Sequence, residues 1–561
     1  MALSNAEKVE GWYAEGCLSP ERILEGLDRK IKERYHEQQS TLEKILRSTS
    51  TDECDGEDTL TKSTFVSLLQ TKGSLPESAA GSEAGYVIYA SIAYLSKIPF
   101  PPTPEQCSSV PVSLTATQLS RGLVWLLPGY YERMTEASNW CRTRTPADHR
   151  RMIFQSLATA YRDQAHDSVK ARELAPHNAY DVSESSREFA GPNHDDDGDE
   201  MYHDVLDVLY ATQPETPLPL APPKRDDFRP VAKRLVQDRF RFSTLAIPRQ
   251  RFVALARILL ALQFEPNNGE PVTELSSFDG AVDSLVAAFC EDAQADVITW
   301  PMFDHTLKNT APYLFAPLYR LLSNIFFGRA GPETLDASSA PTSSSSILTL
   351  PLQSQLASFL TGSIYFGDFR RVHHYIGPGR PSTATLAEAM GDILESAVLV
   401  LSGTAPTGSE YIFGVFSPSP DKDVSAIQEV PEDTEGRERC LIFQLSPVQD
   451  VFRGAVERPG WALGEDGLRF GQDGGVGLFL LSSLQEAMIS HRVAAPGGSA
   501  GTYKANLWRG SWDLTLEVSE IELWGEFLST AGRTLIVRFI YNRINILSGK
   551  TLCEGHLCCF D

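Results

Sequence analysis

The spacing of apolar residues changes near position 347 of this 561-residue chain. Before that point apolar residues recur every three or four positions, the period of an amphipathic helix, most clearly over residues 23–46. After it they come in short runs such as "SAVLVLSG", "YIFGVFS" and "RCLIFQLS", bounded by Gly, Ser, Pro or Asp. Such runs are typical of β-strands. The pattern therefore predicts a helical first part and a β-rich last part.

Two polar segments interrupt this pattern. Residues 181–226 are rich in acids, Pro and Ser, with one short helical string, "MYHDVLDVLYA", and residues 331–346 are low-complexity. Both are too polar to bury a core, so we interpret them as linkers. The predicted regions are helical 1–180, helical 227–330, β-rich 347–526 and a tail of uncertain status, 527–561.

The tail has three interpretations: a conditional helix, an extra strand, or a gene-model read-through.

One spacing recurs in both helical regions. An aliphatic residue is followed by four residues and then Phe or Leu in "LTKSTF", "LTATQL", "IPRQRF" and "ITWPMF", which begin at Leu60, Leu114, Ile247 and Ile298. In an EF-hand the aliphatic residue would be loop position 8, which pairs with the same position of a partner loop. The repeats form two pairs, 54 and 51 residues apart, as paired hands require. Ordinary helix–turn–helix packing is the alternative.

These loops lack the residues that bind calcium. Calcium requires oxygen ligands at loop positions 1, 3, 5 and 12 and Gly at position 6. Position 6 is Asp58 in the first loop and Asp296 in the fourth. We therefore expect EF-hand-like units without calcium. None of the four residues at position 12 is the bidentate Glu: they are Thr64, Gln118, Arg251 and Met302.

A second acidic string, "NHDDDGDEMYHD", spans Asn193 to Asp204. It has oxygen-bearing residues at positions 1, 3, 5 and 12 and Gly198 at position 6. However, Glu200 occupies the aliphatic position and no helix precedes the string. A solvated acidic linker is the favoured interpretation, and calcium binding here stays open.

The charge and cysteine content narrow the functional classes. The net charge of -23 disfavours contact with nucleic acid or anionic lipid. Nine scattered cysteines fit a reducing compartment. No signal peptide or transmembrane run is predicted, and Ala2 excludes N-myristoylation of the chain as written. We expect a cytoplasmic protein.

No catalytic constellation is predicted. The chain has neither a nucleophile elbow nor a P-loop, and the adjacent His373 and His374 should point in different directions. The tail carries zinc-type ligands without a second pair to close a structural site. We expect a protein that is not an enzyme and that has no cofactor and no metal. The tail ligands are Cys553, His556, Cys558 and Cys559.

A glycine cluster in "LRFGQDGGVGLFLL" suggests a phosphate loop at first sight. A dinucleotide fingerprint needs a third Gly that is absent after Gly477, and a P-loop needs Gly-Lys-Ser/Thr. Strand-like runs flank the cluster on both sides. A turn or bulge in an antiparallel sheet, where Gly supplies positive φ or close backbone approach, is therefore the prediction. Its glycines are Gly471, Gly474, Gly475 and Gly477.

Four strings then occur in a recognisable order: "ESAVLVLSGT…YIFGVFSP", "CLIFQLSPVQDVFRG", "GLRFGQDGGVGLFLLSSLQEAMISHR" and "WDLTLEVSEIELWG". Together, over residues 347–526, they resemble a TLDc domain, and the helical strings resemble the fungal restriction-of-telomere-capping type of TLDc protein. The family's "GLWLD" is "GLFLL" here, which loses an acidic residue. The structural motif residues are the four cluster glycines with Trp524 and Gly525.

The resemblance implies an α+β multidomain protein. A helical, EF-hand-like N-terminal region precedes a two-layer antiparallel β-sandwich flanked by helices. It implies a non-enzymatic adaptor that binds peripheral subunits of the vacuolar proton pump (V-ATPase), influences its assembly and is recruited to the vacuole through that partner. Links to oxidative-stress resistance and an indirect, genetic telomere-capping role are also implied. The alternative is a cysteine-dependent antioxidant or other enzyme, for which Cys440 is the cysteine within the sandwich.

Overall fold

The computed structural model describes the chain in segments, and every structural statement below concerns these segments. Several predicted features lie outside them: positions 193–199 of the acidic string, nearly all of 331–346, and the tail beyond Phe527 with its zinc-type ligands. The described segments are 4–49, 53–54, 57–72, 75–102, 111–135, 146–160, 200–214, 221–236, 245–265, 275–290, 292, 295–328, 338–339, 347–361, 363–377, 381–393, 396–418, 440–454, 460–471, 474–494 and 501–527.

Helices dominate the first part. Their starts follow local chemistry: the Ser4 and Thr115 side chains each accept a bond from the third helical residue, and Pro20 stands at a first helical position. The helices are α1 (Asn5–Ala14), α2 (Pro20–Arg34), α3 (His36–Thr49), α4 (Lys62–Thr71), α5 (Ala79–Leu95), α6 (Ala116–Leu126), α7 (Tyr131–Thr135), α8 (Pro146–Leu157), α9 (Glu200–Ala211), α10 (Arg229–Val236), α11 (Arg249–Ala261), α12 (Asp279–Ala288), α13 (Trp300–Asn309), α14 (Ala316–Phe327), α15 (Leu350–Leu360) and α16 (Thr383–Gly391).

The two predicted helical regions share a single hydrophobic core. Its buried side chains run from Val9 in α1 to Phe327 in α14. Helix α9, the short helical string within the predicted 181–226 linker, contributes to the same core through Val205 and Leu209, which are fully buried. This segment therefore packs as part of the helical region. We call the whole body, residues 4–328, the helical region.

Short strands join the loops of the helical region in pairs. Leu60 lies opposite Leu114, and Ile247 lies opposite Ile298, so the structure brings together the same pairs that the sequence spacing indicates. Thr61 and Thr115 then cap the helices that follow. The strands are β1 (Glu53–Cys54), β2 (Glu57–Thr61), β3 (Ser113–Thr115), β4 (Thr159–Ala160), β5 (Leu245–Pro248), β6 (Phe264–Glu265) and β7 (Val297–Ile298), followed by β8 (Ser338–Ser339).

The last part is built on a ten-stranded antiparallel sheet, which confirms the predicted β-rich class. The strand order is β13-β12-β11-β10-β18-β17-β16-β15-β14, and β9 also pairs with β18. The strands are β9 (Phe369–Ile376), β10 (Ala397–Thr404), β11 (Glu410–Ser417), β12 (Leu441–Ser446), β13 (Asp450–Arg453), β14 (Trp461–Gly464), β15 (Gly467–Phe470), β16 (Val476–Leu481), β17 (Glu486–His491) and β18 (Trp512–Glu526).

The long strand β18 joins two halves of this sheet. Its first residues, 512–517, pair with β17, and residues 517–525 pair with β10. Alternate residues of β16 are buried, as expected of strands with one face on a core. Side chains from the two halves, such as Phe413 and Leu478, belong to one buried cluster. The halves therefore pack against each other across a common core.

The other face of the β10–β12 half is covered by a helix. Leu356 and Leu360 of α15 pack with Val400, Phe443 and Trp524 in a further hydrophobic cluster. Phe264 of the helical region belongs to the same cluster, with its ring centroid 5.3 Å from that of Phe366. Apolar packing thus connects the sheet to the helical region.

Candidate functional site

The glycine cluster forms the connection from β15 to β16. Gly471, Gly474 and Gly475 have φ values of +79°, +77° and +64°, which L-residues with a side chain rarely adopt. Gly477 is different, because it lies within β16 opposite Ser490. The intervening positions 472 and 473 lie outside the described residues. Three of the four glycines thus shape the connection, while the fourth, Gly477, places no side chain on the sheet surface.

Tyr503 fills the space beside this connection. The Val476 backbone N–H donates to the Tyr503 carbonyl at 2.9 Å. A Cβ added at Gly475 would lie 2.0 Å from that carbonyl oxygen, and one at Gly471 would lie 3.0 Å from the Tyr503 ring. The ring is fully buried, and its hydroxyl donates to the Gly460 carbonyl at 2.7 Å. The glycines accommodate a side chain of the same chain where a nucleotide loop would hold phosphate.

Cys440 lies on the far side of Tyr503. A Cβ at Gly460 would lie 2.5 Å from the Cys440 Sγ atom, so the thiol is packed tightly against this backbone. Burial raises the pKa of the Cys440 thiol, although hydrogen bonds to Ser417 and Tyr503 act in the opposite direction. A raised pKa decreases the fraction of thiolate, which is the nucleophilic form. Burial likewise raises the pKa of Cys290.

Trp524 and Gly525 lie at the end of β18. Trp524 is fully buried, stacks on Phe369 at 5.1 Å between ring centroids, and donates from Nε1 to Glu522 Oε2 at 3.1 Å. Glu522 is itself fully buried and also accepts from Arg371 at 3.0 Å. Gly525 leaves room for Ile393, whose Cδ1 would lie 3.2 Å from an added Cβ. Both motif residues therefore support the packing of β18.

A polar junction connects the sheet to the helical region, and Asn506 is its centre. Its side chain donates to Asp450 at 3.2 Å, and the neighbouring Trp508 ring meets His305 of α13 edge-on, with 6.4 Å between the ring centroids. Its backbone N–H donates to His491 Nε2 at 2.9 Å, while His491 Nδ1 donates to the Gly510 carbonyl at 2.6 Å. This geometry requires the neutral imidazole of His491, because one ring nitrogen accepts and the other donates.

The titration behaviour of the junction follows from its burial. Burial raises the pKa of Asp450 to about 6, although Arg509 acts in the opposite direction. Burial also lowers the pKa of His305 and of His491. All three groups are therefore shifted toward their neutral forms. No motif in the sequence marks these residues, because they are isolated along the chain and only the fold brings them together.

A second polar contact at the junction involves Gln449. Its backbone N–H donates to the Ser284 carbonyl of α12 at 2.9 Å, and its side chain donates to Ser358 of α15 at 3.0 Å. Gln355 donates in turn to the Gln449 side chain at 3.1 Å. Buried amides that are hydrogen-bonded in this way fix the relative position of the packed elements.

The residues at the calcium-ligand positions have other roles. The Thr64 N–H is capped by Thr61 at 3.2 Å, and Gln118 completes a capping box with Thr115. Asp204, the last residue of the acidic string, is buried and accepts two bonds from Arg151, at 2.6 and 2.8 Å. In the described segments, no group of three or more His, Cys, Asp or Glu could hold a metal ion.

The adjacent histidines lie on β9, at the side of β18. His373 stacks on Tyr375 at 5.8 Å between ring centroids, whereas His374 forms an ion-pair contact with Glu520. The two side chains thus have different partners, and neither is placed beside Cys440 or the junction.

The family comparison agrees with this architecture. Residues 341–527 match the TLDc domain, so the last part of the chain is a TLDc domain. The match includes the glycine connection, Trp524 and the whole ten-stranded sheet. This confirms the resemblance to a TLDc domain that the ordered sequence motifs indicate.

The chain is similar to several proteins from fungi. A protein of Coccidioides posadasii named "Restriction of telomere capping protein 5" is 24% identical over 423 residues, which cover 67% of this chain and 61% of the relative. Proteins of the same name are 21% identical in Neurospora crassa, over 78% of each chain, and 26% identical in Emericella nidulans, over 66% of this chain and 58% of the relative. This chain therefore spans about three fifths of the length of the first of these.

None of the helices within the described segments is both long enough and apolar enough to cross a bilayer.

Proposed function

We propose that the chain is a non-enzymatic adaptor whose TLDc domain docks on peripheral subunits of the vacuolar proton pump and influences its assembly. The observation that carries the proposal is the filled glycine connection, where Tyr503 occupies the space that a phosphate would need. The polar junction supports it further, because Asp450 and His491 are buried in hydrogen bonds within the chain. The resemblance to TLDc proteins implies that the partner is the vacuolar proton pump.

The helical region would position the TLDc domain on that partner. Its paired loops are proposed to be EF-hand-like units that have lost calcium, since Thr64 and Gln118 serve as helix-capping partners. In this proposal the protein is cytoplasmic and reaches the vacuole through the pump. Effects on oxidative-stress resistance and on telomere capping would be indirect consequences of pump regulation.

The direct test is binding of the full-length chain to the purified peripheral sector of a fungal proton pump. The immobilised chain should retain the sector with a dissociation constant of about 1 μM or lower, the range of specific complexes. An unrelated protein of similar net negative charge is the matched control for electrostatic retention. Equal retention by both proteins would refute the adaptor proposal.

The enzyme alternative depends on a reactive thiol. The raised pKa of Cys440 disfavours it, since the thiolate is the reactive form. Peroxide consumption by the wild-type chain and by Cys440→Ser separates the two proposals. The adaptor proposal expects the same background rate for both, whereas a thiol-dependent antioxidant would lose its activity in the variant.

A further inference from the structure

The two halves of the TLDc sheet differ in what covers their outer faces. Helix α15 covers the outer face of the β10–β12 half, where Leu356 and Leu360 meet Val400 and Phe443. On the other half, helix α16 packs on the inner side of the sheet, where Leu386 and Met390 join Leu468. The outer residues Met488 and Thr515 are exposed among the described residues, so this part of the second half presents a sheet face that the described residues leave accessible.

The centre of this uncovered face is apolar. Phe479 of β16 lies directly opposite Met488 of β17, and Met488 lies opposite Thr515 of β18. Met488 is 49% exposed, which is a large exposure for an apolar side chain in a strand. Gly477 has no side chain, the Ser490 hydroxyl lies 3.1 Å from the position that its Cβ would take, and the Arg469 guanidinium lies over the Phe479 ring. We call Gly477, Phe479, Met488, Thr515, Glu486 and Glu517 the open face.

One end of the open face carries two like charges. Glu486 and Glu517 are exposed and lie directly opposite each other on neighbouring strands. Like charges in such a cross-strand pair are destabilising. Among the described residues neither carboxylate has an ion pair, and the two guanidinium groups on this side of the sheet have other partners. Arg469 lies over the Phe479 ring with an ion pair to Asp466, and Arg492 pairs with Asp513.

We propose that the open face binds an amphipathic helix of a partner protein, with apolar side chains on Phe479 and Met488 and Lys or Arg at the Glu486–Glu517 pair. This inference rests on the proposed docking function and deepens it by assigning the surface and the chemistry of the partner. A helix is the expected form, since α15 covers the equivalent face of the other half. A cation between the two carboxylates would remove their repulsion.

The geometry suits a helix. Helix side chains at positions i and i+4 are about 5–6 Å apart, close to the ~4.8 Å spacing of neighbouring strands. One turn can therefore place successive apolar side chains on Phe479 and Met488. The short side chains of Ser490 and Thr515, on either side of this apolar pair, are compatible with larger partner side chains.

The probe is a fluorescent 18-residue peptide of Leu and Lys, with Leu at helical spacing on one face. Its binding to the full-length chain is measured by anisotropy. A scrambled peptide of the same composition controls for the net charge of -23. The patterned peptide should bind at least about tenfold more tightly than the scrambled one, and less tightly as salt increases. Equal affinity for both peptides would overturn the inference.

Two variants locate the peptide. Met488→Glu and the double variant Glu486→Lys/Glu517→Lys should each weaken binding by about tenfold or more, as loss of a central contact does. Val112→Glu is the matched control, because Val112 is 82% exposed and lies beside β3 in the helical region, outside the TLDc sheet. Circular dichroism establishes that each variant is folded. If the control variant weakens peptide binding as much as Met488→Glu does, the inference is overturned.

Vesicles of phosphatidylcholine with phosphatidylserine test a membrane surface as the competing occupant. We expect no binding, since the two carboxylates at one end of the open face repel anionic lipid headgroups. Vesicle binding that Met488→Glu abolishes would overturn the inference in favour of a membrane.

The pump sector separates this inference from the proposed function. If the wild-type chain and Met488→Glu retain the sector equally, the adaptor proposal holds and the open face is refuted as its docking surface. A second outcome is that neither protein retains the sector, while the patterned peptide still binds the wild-type chain more tightly than Met488→Glu. The open face is then supported as a helix-binding surface, and the pump is refuted as the partner.

Discussion

The core of the helical region around Arg151 and the glycine connection of the TLDc domain hold distant segments together in different ways. The first buries a charge pair, Arg151 with Asp204, which are 53 positions apart in the sequence. The second uses close backbone approach, with Gly471 and Gly475 packed around Tyr503. Charge pairs depend on two specific partners, whereas backbone approach depends on the absence of a side chain. The two regions should therefore respond to different substitutions.

The largest effect is expected in the helical region. Arg151→Met removes the guanidinium that donates two hydrogen bonds to the buried Asp204 carboxylate, so the free energy of unfolding should fall by about 4 kcal/mol. Urea denaturation measures this fall. The double variant Arg151→Met/Asp204→Leu should recover much of it, since neither charge of this pair is then buried. A double variant as unstable as the single one would contradict the buried-charge explanation.

The corresponding substitution in the TLDc domain is Gly475→Ala. The added Cβ would meet the Tyr503 carbonyl at 2.0 Å in a residue with φ of +64°, so we expect a loss of about 3 kcal/mol. Gly474→Ala is the matched control, because its φ is +77° but nothing lies within 4 Å of its Cβ position. Its loss should be about 1 kcal/mol. If urea denaturation gives equal losses for Gly475→Ala and Gly474→Ala, the strain of a positive φ explains both and the contact with Tyr503 adds nothing.

Acid should weaken the helical region through His149. This residue donates from Nε2 to the Leu126 carbonyl at 2.7 Å, and burial lowers its pKa from 6.5 to about 4. The folded pKa lies below the unfolded value, so this contribution is complete above pH 6.5 and is lost as the pH falls toward 4. Between pH 7 and pH 5 the loss should be about 2 kcal/mol.

His149→Gln removes this titration while it retains an N–H donor. The variant should therefore lose less stability than the wild type between the same two pH values. Buried His305 and His491, whose pKa values are also lowered, remain in the variant and serve as an internal reference. An unchanged pH dependence in urea denaturation would rule out His149 as the acid-sensitive group.

The smallest effect is expected at the hydroxyl of Tyr503. Tyr503→Phe removes the bond to the Gly460 carbonyl but keeps the ring that fills the glycine connection, so we expect a loss of about 1 kcal/mol. Tyr503→Ala, which also empties the space, should cost several times more. Similar losses for the two variants in thermal or urea denaturation would show that the ring does not support the connection.

Sequence patterns predicted the parts of this molecule that depend on near neighbours. The change of apolar period near 347 predicted the change from helices to an antiparallel sheet. The repeat spacing indicated which loops pair, and Leu60 does lie opposite Leu114. These features are local, or they repeat at a constant spacing. The identification of the repeats as EF-hand-like stays a prediction, because the pairing by itself is also compatible with other helix–loop–helix arrangements.

The contacts between distant segments could not be predicted in the same way. Asp204 was interpreted as part of a solvated acidic string, yet it lies buried against Arg151. Asn506 carries no motif, although it connects Asp450 and His491. A partner 50 or more positions away leaves no periodic trace in a single sequence.

The sequence by itself thus determined the succession of helices and strands, the pairing of the repeated loops and the TLDc class, because all of these follow from local spacing and ordered motifs. The tertiary structure alone decided which polar residues are buried and what the glycines are for. Tyr503 packs against the glycine connection, and Gly477 places no side chain on the open face. The physical reason is that burial and steric fit depend on residues far apart in the chain, which only folding brings within contact.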